Sequence, residues 1–210
     1  MQDPTPQGEK KRQRRKDARP SEIIAAAMQL WSERGFAATR LEDVAAGAHI
    51  AKGTIYRYFP SKEALFEAAL QARIVATMDR ARDMAQGFDG PTSQMLSGFF
   101  ETIRTELVEG GSSVFLRVLL SDGHRFPDLV ARYERVVLSR GMATVRAILA
   151  AGVARGDLRP EAADCDPRLV MAPAMMLSLW GTVFTTDGLP DMRSALAQHV
   201  AILMGGLGRR

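Results

Sequence analysis

Apolar positions recur at helical spacing along nearly the whole chain, separated by short turn signals. From Pro20, a residue suited to a first helical position, Ile23, Ala27, Leu30 and Trp31 form one apolar stripe that Gly35 brings to a stop. The run Thr39-Arg40-Leu41-Glu42 has the form of a capping box: the Thr39 hydroxyl accepts from the Glu42 amide and the Glu42 carboxylate from the Thr39 amide. Leu41, Val44, Ala45 and Ala48 then line one face of a second helix. A turn at His49-Ile50 leads to a short helix over about 51–58 that Pro60 ends, and Ser61 caps a fourth helix reaching about residue 86. Beyond a break at 87–91 the pattern predicts helices over 92–109, 112–124, 127–155, 167–187 and 190–207. Gly110-Gly111, Phe126-Pro127, Gly156-Asp157 and Gly188-Leu189-Pro190 punctuate them. No run alternates with period two between hairpin turns and no constant repeat is present, so an all-α fold of about nine helices is expected.

Charge divides the chain. Through Lys62 it carries twelve Lys and Arg against seven Asp and Glu, and the rest sixteen against seventeen. An excess confined to the first third points to a polyanion as the partner of that part alone. Residues 1–19 hold the cluster Lys10, Lys11, Arg12, Arg14, Arg15 and Lys16 with few apolar side chains, and are expected to be a disordered basic arm. Such an arm is either a solvated tail or a segment that tracks a DNA backbone or minor groove.

Other chemistries find little footing. Cys165 is the only cysteine, which rules out an intrachain disulfide and a cysteine-based zinc site, and its neighbours Asp164 and Asp166 disfavour a reactive thiolate. His49, His124 and His199 are too widely spaced for a helical ligand pair, so no metal is expected. No Ser-His-Asp grouping, paired carboxylates or dinucleotide loop stands in a recognisable setting; no catalytic residue and no cofactor are assigned. The longest apolar stretch, 169–184, is shorter than the ~20 residues of a membrane span and reads as a buried helix. With no apolar leader at the N-terminus, the expected location is the cytoplasm, with no membrane partner.

The second and third helices have the form of a helix-turn-helix, in which one helix enters the major groove and a neighbour braces it. Ala45 and Ala48 allow close packing, Ile50, Ile55 and Phe59 anchor the third helix from beneath, and Lys52, Thr54, Tyr56, Arg57 and Tyr58 are left facing outward. Cations and hydroxyls of this kind donate to phosphates and base edges, although either tyrosine could also pack partly.

Three runs carry a resemblance: Gly35-Phe36-Ala37-Ala38-Thr39, then Val44-Ala45, then the unbroken Lys52-Gly53-Thr54-Ile55-Tyr56-Arg57-Tyr58-Phe59-Pro60-Ser61-Lys62-Glu63-Ala64-Leu65. Over about 20–70 the chain resembles the TetR family of transcriptional regulators. The resemblance implies that Lys52, Gly53 and Thr54 lie at the groove-facing start of the recognition helix. It also implies phosphate contacts at Tyr56, Tyr58, Lys62 and Thr39, and at Arg57 a variable position that sets operator preference. Two positions depart from the family pattern: His49 stands where a turn glycine is usual, and Ala51 where a capping Ser or Thr is usual. A non-glycine in a left-handed turn costs roughly 1–2 kcal/mol and a lost cap roughly 1 kcal/mol.

Within that resemblance, 20–65 is the DNA-binding domain and 66–210 a helical bundle for effector binding and dimerisation. Met84, Met95, Met142, Met171, Met175 and Met176 accompany Phe99, Phe100, Phe115, Trp180 and Phe184, a population that suits plain core or an adaptable apolar cavity. The resemblance implies an effector pocket, for which we take Phe99, Ile103, Leu116, Leu120, Tyr133, Val137, Met176 and Trp180, with Arg117 and His124 as polar anchors. The last two helices resemble the pair that forms the family's four-helix dimer interface. The expected function is a homodimeric regulator, most often a repressor in this family, that binds a palindromic double-stranded operator and is released by a small apolar or aromatic ligand. The alternative is a ligand-binding or interaction protein whose DNA-binding head no longer functions.

Overall fold

The computed structural model describes residues 6–75, 78–79, 88–106, 110–183 and 191–209. These form α1 (Pro6–Arg34), α2 (Leu41–Gly47), α3 (Lys52–Tyr58), α4 (Lys62–Leu70), α5 (Thr92–Arg104), α6 (Ser113–Asp122), α7 (Pro127–Arg155), α8 (Pro167–Val183) and α9 (Met192–Leu207). A π-helical turn, Gln71–Val75, continues α4; another, Glu134–Leu138, lies inside α7, and a 3₁₀ turn, Pro160–Asp164, precedes α8. Among the described residues the only β pairing is an isolated bridge between Leu158 and Gly208. The all-α expectation therefore holds. The expected helix ends at 86, 109 and 187, and the side chains Met84 and Phe184, lie outside the described residues.

Two boundaries differ from the sequence reading. α1 reaches back to Pro6 with Pro20 inside it, so helix replaces the disorder expected over 6–19. Lys, Arg, Gln and Glu are good helix formers, and Pro20 costs the helix one backbone bond and a local clash, roughly 3 kcal/mol, without ending it. α2 starts at Leu41, with Arg40 rather than Thr39 as the capping position. The Arg40 amide donates to Asp43 Oδ2 at 3.0 Å, while the Thr39 hydroxyl donates inward to the Gly35 carbonyl at 2.7 Å. Gly35, at φ 81°, turns the chain out of α1, and Thr39 satisfies the carbonyl exposed there.

The core has two parts. One joins Ile23, Trp31, Phe36, Val44, Ile55, Leu65 and Phe66 of the first four helices to Phe115, Leu129, Tyr133 and Val136 of α6 and α7. Its centre is an aromatic chain: Phe36 lies 5.7 Å from Trp31, 5.8 Å from Phe66 and 5.2 Å from Phe126, and Phe66 lies 5.3 Å from Phe115. The other gathers Leu96 and Phe100, Val145, Ile148 and Leu149, Val170 and Ala174, and Leu196 and Val200 from α5, α7, α8 and α9. Full burial of each such side chain is worth roughly 1.5–3 kcal/mol. By length and composition α7 could cross a membrane, but it turns Val145, Ile148 and Leu149 into this core, as a central helix of a folded domain does. Asp157 fastens the start of α5, accepting from the Thr92 amide at 3.0 Å and its hydroxyl at 2.9 Å.

Candidate nucleic-acid interface

The turn between α2 and α3 is built by backbone bonds. The Ile50 amide donates to the Ala45 carbonyl at 2.9 Å and the His49 amide to Ala46 at 3.0 Å. This is a Schellman arrangement, which needs a left-handed residue just past the helix. His49 supplies it at φ 53°, the only non-glycine with positive φ among the described residues. Ala51 follows in extended backbone as the first-turn cap of α3, with no side-chain bond. Both positions that depart from the family pattern thus take the backbone shapes it requires.

α3 buries Ile55 and sets Phe59 behind it, with Ile50 and Tyr58 packed on the same cluster. Its opposite side exposes Lys52, Gly53, Tyr56 and Arg57, with Thr54 half-buried beside them. A Cβ on Gly53 would meet nothing within 4 Å, so the backbone there is open to a closely approaching partner. Arg57 lies over the Tyr58 ring, 5.6 Å from its centroid.

Glu42, in the first turn of α2, reaches across to this surface. Its Oε1 accepts from the Tyr56 hydroxyl at 2.8 Å and lies 3.0 Å from Lys52 Nζ. The Tyr56 hydrogen bond first, then a backbone bond and Lys52, hold the Glu42 carboxyl down at about 2. In return Glu42 raises both the Lys52 ammonium and the Tyr56 hydroxyl. Sequence reading gave Glu42 only a capping role, because nothing in spacing shows that two helices bring it onto Lys52.

Thr39 and Lys62 are placed differently from the other expected contacts. Thr39 is buried and its hydroxyl is engaged with Gly35. Lys62 Nζ donates to the carbonyls of Phe36 at 2.6 Å, Thr39 at 2.8 Å and Ala37 at 3.4 Å, and sits 4.3 Å from the Phe36 ring centroid. Burial lowers its pKa. From the other side Asp122, at the end of α6, accepts the Phe36 and Ala37 amides on Oδ2, both at 3.1 Å. One charge of each sign therefore grips the turn between α1 and α2. Of the four expected phosphate contacts, Thr39 and Lys62 thus face inward, and the surface groups that remain are Lys52, Gly53, Thr54, Tyr56, Arg57 and Tyr58.

Of the expected pocket residues, Phe99, Ile103, Tyr133 and Val137 line one cavity of about 50 Å³. Ile74, Met78, Thr102, Glu106 and Thr144 complete its sides. Burial raises the Tyr133 hydroxyl above its usual range. Each stretch of π-helix among the described residues contributes to the wall: Ile74 from Gln71–Val75, Val137 from Glu134–Leu138, and Glu106 after α5. Leu138, Met171 and Met175 separate this cavity from a wider groove of about 730 Å³ that carries Arg146, Asp166 and Arg168. Apolar ligand sites are typically ~300–1,000 Å³, so the inner cavity takes a ligand only when such pliable side chains move.

The other expected pocket residues lie elsewhere. Leu116 is buried in the core between head and body, and Arg117 donates to Ser32 Oγ at 2.9 Å. Leu120, Met176 and Trp180 are 59%, 54% and 42% exposed, and His124 sits on the surface after α6. Helical spacing shows which residues share a face but not which neighbour that face meets. Among the described residues no group of three or more His, Cys, Asp or Glu side chains is placed to hold a metal ion.

Comparison with known proteins matches both halves of the chain. The family model for bacterial regulatory proteins of the tetR family matches residues 23–69, and that for the C-terminal domain of AefR-like transcriptional repressors matches 94–193. The transcriptional regulator RutR of Escherichia coli K12 is 44% identical over 61 residues, 29% of this chain and 29% of RutR. The transcriptional repressor KstR2 of Mycobacterium tuberculosis is 32% identical over 84 residues, 40% of this chain and 42% of KstR2. The matched segments thus span less than half the length of these curated relatives. Among solved structures, a SmeT–triclosan complex superposes with a TM-score of 0.76 at 18% identity, covering 91% of this chain and 92% of that one, a likeness of fold.

Proposed function

The chain belongs to the TetR family of bacterial transcriptional regulators, and we propose that within it this protein is a ligand-released repressor acting as a homodimer on a palindromic operator in the cytoplasm. The observation that carries the DNA half is the two-sidedness of α3: Ile55 and the following Phe59 lock one side into the core while Lys52, Gly53, Tyr56 and Arg57 are exposed on the other. Lys52, Gly53 and Thr54 read base edges, Tyr56, Arg57 and Tyr58 contribute backbone contacts and local preference, and Lys62 and Thr39 hold the head in shape. The basic N-terminal segment adds phosphate contacts. Exposed Leu169, Met176 and Trp180 on α8 and Ile202 on α9 favour a self-interface on these two helices.

The cavity beneath Leu138, Met171 and Met175 is the effector site in this reading, and the fold likeness to a triclosan-bound regulator supports an apolar or aromatic ligand. The test is selection from random duplexes, followed by anisotropy on the recovered sequence and on DNA upstream of the protein's own gene. Lys52→Ala and Thr54→Ala should each lose ~1–3 kcal/mol of discrimination at one base position per half-site. A thermal-shift hit among apolar and aromatic compounds should bind more weakly, by roughly 5- to 150-fold, when operator is present. Selection that recovers no preferred sequence would favour the alternative of a ligand-binding protein with a silent head.

A further inference from the structure

The carboxylate of Glu42 stands in the wrong place for a group that only supports a fold. It lies on the exposed surface of α2 and α3, bonded through one oxygen to Lys52 and Tyr56, both expected to touch DNA. A duplex presents phosphates everywhere and base acceptors only in register, so these groups meet two kinds of competitor. Exchanging the Glu42 oxygen for a phosphate oxygen replaces one anion by another, and leaves Glu42 unpaired against a polyanion. Exchanging it for base-edge acceptors in the groove gains directional contacts that the carboxylate does not offer. Lys52 also occupies the first position of α3, where the helix dipole disfavours a cation, so Glu42 relieves a local penalty as well.

We propose that Glu42 is a specificity-determining residue: it retains Lys52 and Tyr56 on random DNA and yields them when base edges of the operator compete. The inference rests on the DNA-binding reading of α3. It commits to a direction, because a residue that merely orders the interface would lower affinity when lost, whereas a retaining residue raises affinity for the wrong DNA.

The experiment uses the full chain, the selected operator duplex and a scrambled duplex of equal length, with affinity measured from 50 to 200 mM salt. Glu42→Gln keeps the shape and an acceptor for Tyr56 but removes the charge. On scrambled DNA it should bind more tightly and steepen the log–log salt slope by about 0.9, the value for one added phosphate contact. The gain at 50 mM should then be roughly three- to fourfold larger than at 200 mM. Operator affinity should change less, so the ratio of operator to scrambled affinity falls severalfold. Glu42→Asp should keep the shallow slope, and Glu42→Gln with Lys52→Met should restore it. Weakening of both duplexes by one factor at unchanged slope would overturn the inference, as would a steep slope that survives Lys52→Met. A wild-type protein with no preferred duplex would overturn the DNA-binding reading itself.

Discussion

Replacing Asp122 by alanine removes the acceptor shared by the Phe36 and Ala37 amides across 86 and 85 residues of sequence. The Phe36 amide is buried and is left unsatisfied, whereas water partly replaces the lost bond at Ala37. A hydrogen bond to a charged group contributes ~1.5–3 kcal/mol, and an orphaned buried donor costs ~1–3 kcal/mol. Taking the first site in full and the second at the low end gives a loss of roughly 2–4 kcal/mol. For a chain of 210 residues that is a fall in Tm of roughly 5–15 °C. Urea and thermal unfolding, followed by tryptophan fluorescence at one fixed protein concentration, measure it. Asp122→Asn, which keeps an acceptor without the charge, should fall between. Lys62→Met acts on the same turn, so the double variant should lose less than the sum of the two. A loss under about 1 kcal/mol for Asp122→Ala would refute the assignment of Asp122 as a brace for this turn.

His49→Gly should stabilise the head by roughly 1 kcal/mol by relieving the left-handed backbone, and Ala51→Ser by a similar amount through a new cap; a lower melting temperature for either contradicts the turn geometry. The Glu42 carboxyl should titrate near 2 by NMR and move up in Tyr56→Phe, with Glu42's contribution to stability present above its unfolded pKa near 4.5 and fading as pH falls through about 2. A midpoint at 4 or above would mean that the bonds to Tyr56 and Lys52 do not persist. In Gly141→Ala the new Cβ would lie 2.7 Å from Met171 Cε and 3.3 Å from Met78 Cε, driving the Met171 tip into the cavity. The response to apolar ligands should vanish while the melting temperature moves little, helix gain of ~1 kcal/mol offsetting overpacking. An intact response in that variant would put the ligand elsewhere.

Local rules carried the reading as far as local structure goes. Period, glycine stops and proline starts place the helices, and the left-handed shape of His49 is legible because a turn glycine was expected there. What spacing leaves open is which distant element a face meets. Leu116 and Leu120 lie one helical turn apart on α6, yet one is in the core and the other 59% exposed. Lys62 looked like a surface donor because its partners are backbone carbonyls of a turn well over twenty residues away, which no side-chain pattern advertises. Asp122 and Glu42 escaped for the same reason. Each works through a contact that exists only once separate helices have docked, neighbouring ones for Glu42 and distant ones for Asp122.

The aromatic chain from Trp31 through Phe36 and Phe66 to Phe115 and Phe126 bears on how such proteins can be recombined. A cut after residue 70 would leave the Phe36 and Phe66 rings without Phe126 and Phe115, and the Phe36 and Ala37 amides without Asp122. The reading head is therefore not a cassette. Grafted onto another regulator's body, it would keep its fold only if α6 and the start of α7 travelled with it. A chimera designed at the head–body boundary should carry Phe115, Asp122 and Phe126 as part of the head, although more than forty residues of chain separate them from it.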